Sequence, residues 1–204
     1  MQNELLCLTP AEPWLAEPAA DYYRRNRAFL KDFEPVREER FFTADGQREV
    51  LEKELRDREA GRGYRFYIQP AERPHHIIGV IGLNNVVWGA FRSAFLGYKL
   101  DRDYVNRGYM TAAVSMLVDY AFQELHLHRI EANVMPRNHA SLRVLEKNGF
   151  VCEGLSRYYL QINGVWEDHV HMVKLNDAMH RPPDGTGARE RKPSSCVFCR
   201  SLAQ

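Results

Sequence analysis

Apolar side chains at Met110, Val114, Leu117, Val118, Ala121, Phe122 and Leu125 recur every three or four residues and draw one stripe along about four helical turns. A helix with a single apolar stripe has to lay it on another surface. Just before it, residues 94–100 (AFLGYKL) read as a strand. Just after it, residues 129–135 (RIEANVM) alternate Ile130, Ala132 and Val134 with polar neighbours, the pattern of a strand with one face on a core. A strand, a long amphipathic helix and a second strand in succession are the centre of a sheet covered by helices.

The flanking sequence extends that pattern. Residues 77–83 (IIGVIGL) form a β-branched run that pairs naturally with residues 94–100 across the turn-like Trp88, Gly89 and Ala90. Earlier, residues 21–30 and 47–58 read as amphipathic helices, the second with Val50, Leu51 and Leu55 on one face. Residues 139–147 make a further helix, stopped by Asn148 and Gly149 in the manner of a left-handed cap. Residues 155–162 and 165–175 flank Asn163 and Gly164, and an Asn-Gly pair between two strand-like runs is the strongest short hairpin signal. The expected fold class is α/β, with a mixed sheet.

Size and composition fit one such domain. The chain has 204 residues, is 45% hydrophobic and 27% charged, and balances 28 Lys and Arg against 27 Asp and Glu for a net charge of +1. No global positive field exists to hold DNA or an acidic membrane, so a specific DNA partner is not expected. No run approaches the ~20 apolar residues of a membrane span. The first ten residues lack the basic and apolar regions of a signal peptide, so a cytoplasmic address is expected. Cys7, Cys152, Cys196 and Cys199 are too sparse for a disulfide scaffold, and the CxxC pair Cys196 and Cys199 has no partner ligands for zinc, so no metal is expected. Composition changes near His180: residues 181–204 are rich in Pro, Gly and Ser and are expected to stay disordered, leaving residues 1–180 as the domain.

Chemistry concentrates in residues 98–113 (YKLDRDYVNRGYMTAA), a strand end, a short loop with Gly108 and a helix start. The first N–H groups of a helix carry partial positive charge and favour an anion, and glycine lets a phosphate approach the backbone. Residues 106–110 could thus hold a pyrophosphate. There is no GxxxxGK followed by Ser or Thr, and no GxGxxG, so an NTPase or dinucleotide dehydrogenase is disfavoured.

Two segments, YVNRGYMTAAV (104–114) and IEANVMPRNHASLRVLEKNGF (130–150), resemble the acetyl-coenzyme A motifs of the GNAT acetyltransferase superfamily. YYRRNRAFLKDFEPVREE (22–39), NNVVWGAFRSAFLGYKLD (84–101) and YYLQINGVWEDHV (158–170) resemble its RimJ/RimL branch, most closely the RimJ type that acetylates an alanine N terminus of a ribosomal protein. The likeness covers nearly all of residues 5–175.

The resemblance implies a GNAT fold, a mostly antiparallel sheet splayed between its fourth and fifth strands, with acetyl-CoA in the gap. The pantetheine arm would run beside Tyr98 and Leu100, and the pyrophosphate would sit on Asn106, Arg107, Gly108, Tyr109, Met110 and Thr111. Three positions depart from the superfamily pattern: Val105 for its usual Gln or Arg, Asn106 for a frequent Gly, and Met110 for a small residue. Because backbone makes most of those contacts, binding should survive. Asn138 matches an Asn that contacts the cofactor, and Ser141 a serine that protonates the departing thiolate; helix capping would also account for both. Glu34, Asn85, Trp88, Tyr98 and Tyr158 are expected around the acceptor.

No general base carries over. The superfamily's catalytic Glu falls on Asn133, its acidic Tyr on Leu145, and a Glu proposed in RimL relatives on Leu160. Glu131 could face the cleft or pair with Arg129; Glu34, Asp168 and His169 are other candidates. An α-amino group, with pKa ~7.7 to 8.0, loses its proton at neutral pH for about 1 to 1.4 kcal/mol, against about 4.6 for lysine. A site without a strong base therefore suits an N-terminal amine. The expected partners are acetyl-CoA, a ribosomal protein N terminus and, transiently, the ribosome, with Arg24, Arg25 and Arg27 as a basic run that could touch RNA. A small-amine acetyltransferase of polyamine or aminoglycoside type, and a non-catalytic CoA-binding ribosome-assembly factor, remain as alternatives.

Overall fold

Seven strands form one sheet in the order β1 (Leu6–Pro10), β2 (Tyr64–Pro70), β3 (Gly79–Val87), β4 (Ser93–Leu100), β5 (Arg129–Val134), β7 (Val165–Leu175) and β6 (Val151–Ile162). The structure, a computed structural model, describes residues 1–180; the tail expected over 181–204, with Cys196 and Cys199, lies outside the described residues. Every neighbouring pair is antiparallel except β4 and β5. That exception follows from the chain path, since β4 and β5 are joined through the helix α3 (Tyr109–Gln123), and a helical crossover returns the next strand parallel.

The parallel pair is short. Ser93, Ala94 and Phe95 pair with Arg129, Ile130 and Glu131, and beyond that the two strands part. Residues 96–100 of β4 and 132–134 of β5 continue on either side of an open gap.

Both faces of the sheet are covered. On one side α3 and α4 (His139–Lys147) bury Ala113, Val114, Leu117 and Leu145 against Ala94, Leu96, Ile130 and Ala132. Each large aliphatic side chain so buried contributes about 1.5–3 kcal/mol. On the other side α1 (Ala16–Leu30) and α2 (Ala44–Glu59) bury Ala19, Tyr22 and Leu51 against Tyr67, Ile77 and Val80. Strand alternation sends Ile130, Ala132 and Val134 to the α3 side and therefore Glu131 and Asn133 to the other.

Local signals explain the boundaries. α4 spans the residues its periodicity predicts, with the Asn138 side chain accepting from the Ser141 N–H. It ends with Gly149 at φ +74, the Phe150 N–H bonding to the Leu145 carbonyl and that of Gly149 to Glu146. In the hairpin, Asn163 and Gly164 take φ +50 and +83, the left-handed pair a two-residue turn requires. α1 begins five residues before the expected 21, because Pro18 falls in the first turn, where its missing N–H removes no helical bond. β1 and β2 are strands that the periodicity does not flag. β1 is an edge strand of five residues with Leu6 and Leu8 buried, and each of the two strands closes on a proline, which reads as loop.

Candidate active site

The gap between β4 and β5 opens into a cleft of about 820 Å³, within the range of small-molecule sites. Tyr98, Lys99 and Leu100 of β4 form one wall, the segment 138–147 the facing wall, and the loop before α3 one end. Phe29, Leu30 and Phe33 close it from the α1 side.

At the loop end the backbone presents a row of unpaired amide donors. Asn106 at φ +60 and Gly108 at φ +85 are both left-handed and turn the chain sharply into α3. No side chain caps that helix, and its first turn carries no acidic residue. The N–H groups of Tyr109, Met110 and Thr111 precede the first helical bond, from the Ala112 N–H to the Gly108 carbonyl, and so remain available at the positive end of the dipole. A Cβ on Gly108 would meet nothing within 4 Å, so open space lies over the turn. Asn106, Gly108, Tyr109, Met110 and Thr111 all line the cleft. Arg107 does not; its guanidinium lies 5.5 Å from the centre of the Tyr104 ring. Val105 also lines the cleft and is 39% exposed.

The turn is held in place by Asp101 at the end of β4. Its carboxylate accepts from Arg25 Nε at 2.8 Å, from Asn26 Nδ2 at 2.9 Å and from the Asp103 N–H at 3.0 Å. Burial acts to raise its pKa, but the Asn26, Asp103 and Arg25 bonds outweigh it and hold the carboxyl below its usual value. Thus α1 fixes the strand end from which the turn starts.

Midway along the cleft two hydroxyls meet. The Tyr98 Oη lies 2.9 Å from Ser141 Oγ and donates to the Ser141 carbonyl at 3.2 Å, joining β4 to α4 across the gap. Burial pushes the Tyr98 phenol up to about 12, partly offset by Ser141, so it keeps its proton at neutral pH. Asn138 lines the same wall while its Oδ1 caps the helix at 3.2 Å from the Ser141 nitrogen.

The residues expected around the acceptor do not gather as tightly. Tyr98 lines the cleft; Glu34, Asn85, Trp88 and Tyr158 do not. Glu34 is ion-paired to Lys99, whose ammonium lies 5.0 Å from the centre of the Tyr23 ring. Asn85, at φ +49, occupies the bulge where β3 and β4 lose register. Trp88 donates its indole N–H to the Gly61 carbonyl at 2.8 Å. Tyr158 is 65% exposed on β6, its N–H bonded to Asp168 Oδ1 at 2.8 Å.

None of the candidate bases lines the cleft either. Glu131 pairs with Arg129 at 2.9 Å, the second of the two arrangements its position allows. Burial lowers the pKa of His169, whose Nδ1 lies 3.0 Å from the Glu167 carbonyl. Asn133 donates Nδ2 to the Tyr159 hydroxyl at 3.1 Å, and its buried Oδ1 has no partner. Leu145 is fully buried in the core. The basic run of α1 is spoken for: Arg24 pairs with Glu17, Arg25 with Asp21 and Asp101, and Arg27 with Glu39.

Sequence reasoning missed Phe29, Leu30, Lys99, His139, Glu146, Arg143 and Lys147 of the lining, Glu146 being paired with Arg143 at 3.3 Å. Arg143 and Lys147 were visible as basic residues four apart, one turn along the helix that Asn138 caps. Among the described residues no helix is long and apolar enough to cross a membrane, and no group of three or more His, Cys, Asp or Glu is placed to hold a metal.

A sheet that parts at its one parallel pair, above an uncapped helix start, is the arrangement that the GNAT resemblance implies. The family model described as an acetyltransferase (GNAT) domain matches residues 6–151, and the chain belongs to that family. Within it, the chain is 42% identical over 176 residues to the probable N-acetyltransferase YjcK of Bacillus subtilis, covering 86% of this chain and 97% of the relative. The crystal structure of the ribosomal-protein-S5-alanine acetyltransferase from Vibrio fischeri matches with a TM-score of 0.83 and 35% identity over 87% of this chain and 96% of that one. Mycobacterium smegmatis RimJ, solved in complex with CoA-disulfide, matches with a TM-score of 0.80 and 28% identity over 85% and 83%.

Proposed function

We propose that the protein transfers the acetyl group of acetyl-CoA to the N-terminal α-amine of a protein, an alanine at the start of a ribosomal protein being the acceptor. The observation that carries the transfer is the parting of β4 and β5 over the uncapped start of α3. It leaves a long cleft with amide donors at one end and hydroxyls at its middle. On this reading the N–H groups of residues 108–111 take the pyrophosphate, with Asn106 shaping the turn and Arg107 adding charge from outside it. The backbone of Tyr98 and Leu100 flanks the pantetheine arm, and Asn138 orders the facing wall. Bound acetyl-CoA supplies a thioester carbonyl open to attack by a neutral amine. Ser141 donates the proton that the departing sulfur needs.

The N-terminal acceptor is supported by the engagement of the one carboxylate in the described cleft lining, Glu146, which is paired with Arg143 at 3.3 Å, since an α-amine needs little help to become neutral. It is supported too by the alanine acetyltransferase likeness. Glu34, held by Lys99, is a poor seat for a polycation, which disfavours a polyamine acceptor. Asn85, Trp88 and Tyr158 would contact a larger acceptor outside the cleft. Residues 1–180 serve as the catalytic domain, and a ribosomal acceptor implies a cytoplasmic site of action with transient ribosome contact.

The test is thiol release from acetyl-CoA with two peptides, one with a free N-terminal alanine and no lysine, the other blocked at its N terminus with an internal lysine. Turnover with the first alone is expected. Turnover with the second, or with neither, defeats the reading.

A further inference from the structure

Four cleft-lining side chains carry hydroxyls: Tyr98, Tyr109, Thr111 and Ser141. Tyr109 is bonded to Glu72 at 3.3 Å, and Thr111 lies in the first turn of α3. The other two bond each other from opposite walls, midway along the cleft that a thioester would occupy. Resting on the acetyl-transfer reading above, we propose that Tyr98 is a positioning residue that makes Ser141 a proton donor to the departing sulfur.

The pair has two hydrogen-bonding states with the same heavy-atom positions. In one, the Ser141 hydroxyl donates to Tyr98 Oη and Tyr98 donates to the Ser141 carbonyl, at 2.9 and 3.2 Å. In the other, Tyr98 donates to Ser141 Oγ, and the serine proton turns outward into the cleft. Only two hydroxyl rotations separate them, so a sulfur acceptor in the cleft selects the second state without moving the backbone. As the serine proton leaves, the Tyr98 O–H strengthens its bond to the oxygen left behind. Ser141 also sits in the first turn of α4, where the helix dipole favours that negative charge. Burial keeps the phenol protonated, and therefore a donor, across the neutral range.

The step balances. The amine nitrogen bonds to the carbonyl carbon, the carbon–sulfur bond breaks, and sulfur takes the Ser141 proton. Serine regains a proton through solvent from the nitrogen that has become an amide, and Tyr98 ends with its own. A purely structural role for Tyr98 would instead tie β4 to α4 and affect every donor alike.

The test compares wild type, Tyr98→Phe, Ser141→Ala and the double variant with two donors at a fixed peptide acceptor. One donor is acetyl-CoA; the other is S-(4-nitrophenyl) thioacetate, whose thiolate is a weak base that departs without a proton. With acetyl-CoA, Tyr98→Phe should lower kcat about tenfold while its KM for acetyl-CoA stays within twofold. The double variant should be no slower than Ser141→Ala alone. With the aryl donor, both single variants should match wild type. An unaltered kcat for Tyr98→Phe, an equal loss with both donors, or multiplying effects of the two substitutions overturns the proposal. Ser141→Ala leaves the Tyr98 ring in place and must show the same donor dependence by itself. Wild-type silence with every amine defeats both this proposal and the functional reading; wild-type turnover with an unaltered Tyr98→Phe defeats this one alone.

Discussion

Replacing Gly108 with alanine separates what the turn into α3 does for folding from what it does for binding. Gly108 sits at φ +85, a conformation that costs an L-residue about 1–2 kcal/mol. A Cβ there meets nothing within 4 Å, so no clash adds to that cost. At about 2–4 °C per kcal/mol for a domain of this size, Tm should fall by about 2–8 °C. Binding responds differently. Relief of the strain rotates the turn and misaims at least one of the amides that lead into α3, and a hydrogen bond to a charged group is worth about 1.5–3 kcal/mol. The Kd for CoA should therefore rise roughly 10- to 150-fold. Calorimetric titration with CoA and with pantetheine, which lacks the phosphates, isolates the turn: CoA should weaken and pantetheine should not. A lower Tm with unchanged CoA affinity, or an equal loss for both ligands, would refute the reasoning.

Two further outcomes follow from buried polar groups. Asp101→Ala removes the carboxylate that ties α1 to the end of β4 and should cost about 3 kcal/mol in urea unfolding. The figure is at the low end because Arg25 keeps Asp21 and Asn26 keeps the Tyr22 carbonyl. The folded pKa of Asp101 lies below its unfolded value, so its contribution is present above about pH 4 and is lost as pH falls through the folded value; the variant and wild type should therefore converge in strong acid. At the alkaline end, burial raises Tyr22 and Tyr67 well above their usual value and Tyr98 to about 12. Raised values in the folded state mean full stability below about pH 10 and steady loss above it, as the unfolded chain gives up its phenolic protons first. Denaturation midpoints that stay flat from pH 9 to pH 11.5 would contradict that assignment.

The parts of this molecule that the sequence reveals are those decided within a few residues. The stripe of α3, the cap of α4 and the Asn163 turn each rest on neighbours less than about two turns apart, and each lies where expected. The turn into α3 is legible for the same reason, because a left-handed glycine before an uncapped helix is a local arrangement. Decisions between distant residues stay hidden. Asp101 meets Asn26 across 75 positions, Tyr98 meets Ser141 across 43, and Glu34 is claimed by Lys99 from another element. Strand alternation puts Glu131 beside Asn133, yet the Arg129 that pairs with it is itself held by Glu153 of β6, 24 positions on. β1 was obscured by its position at the sheet edge, where one buried pair, Leu6 and Leu8, is all the pattern it needs.

The join between β4 and β5 has a mechanical consequence. Three residue pairs form the whole spine on which the two leaves of the sheet are hinged. Sliding one leaf along the other would break the spine and unseat the buried Ala94 and Ile130 on it, and widening the gap would part the Tyr98–Ser141 bond that spans it. The cleft is therefore fixed in length by the spine and held in width by a single hydroxyl pair.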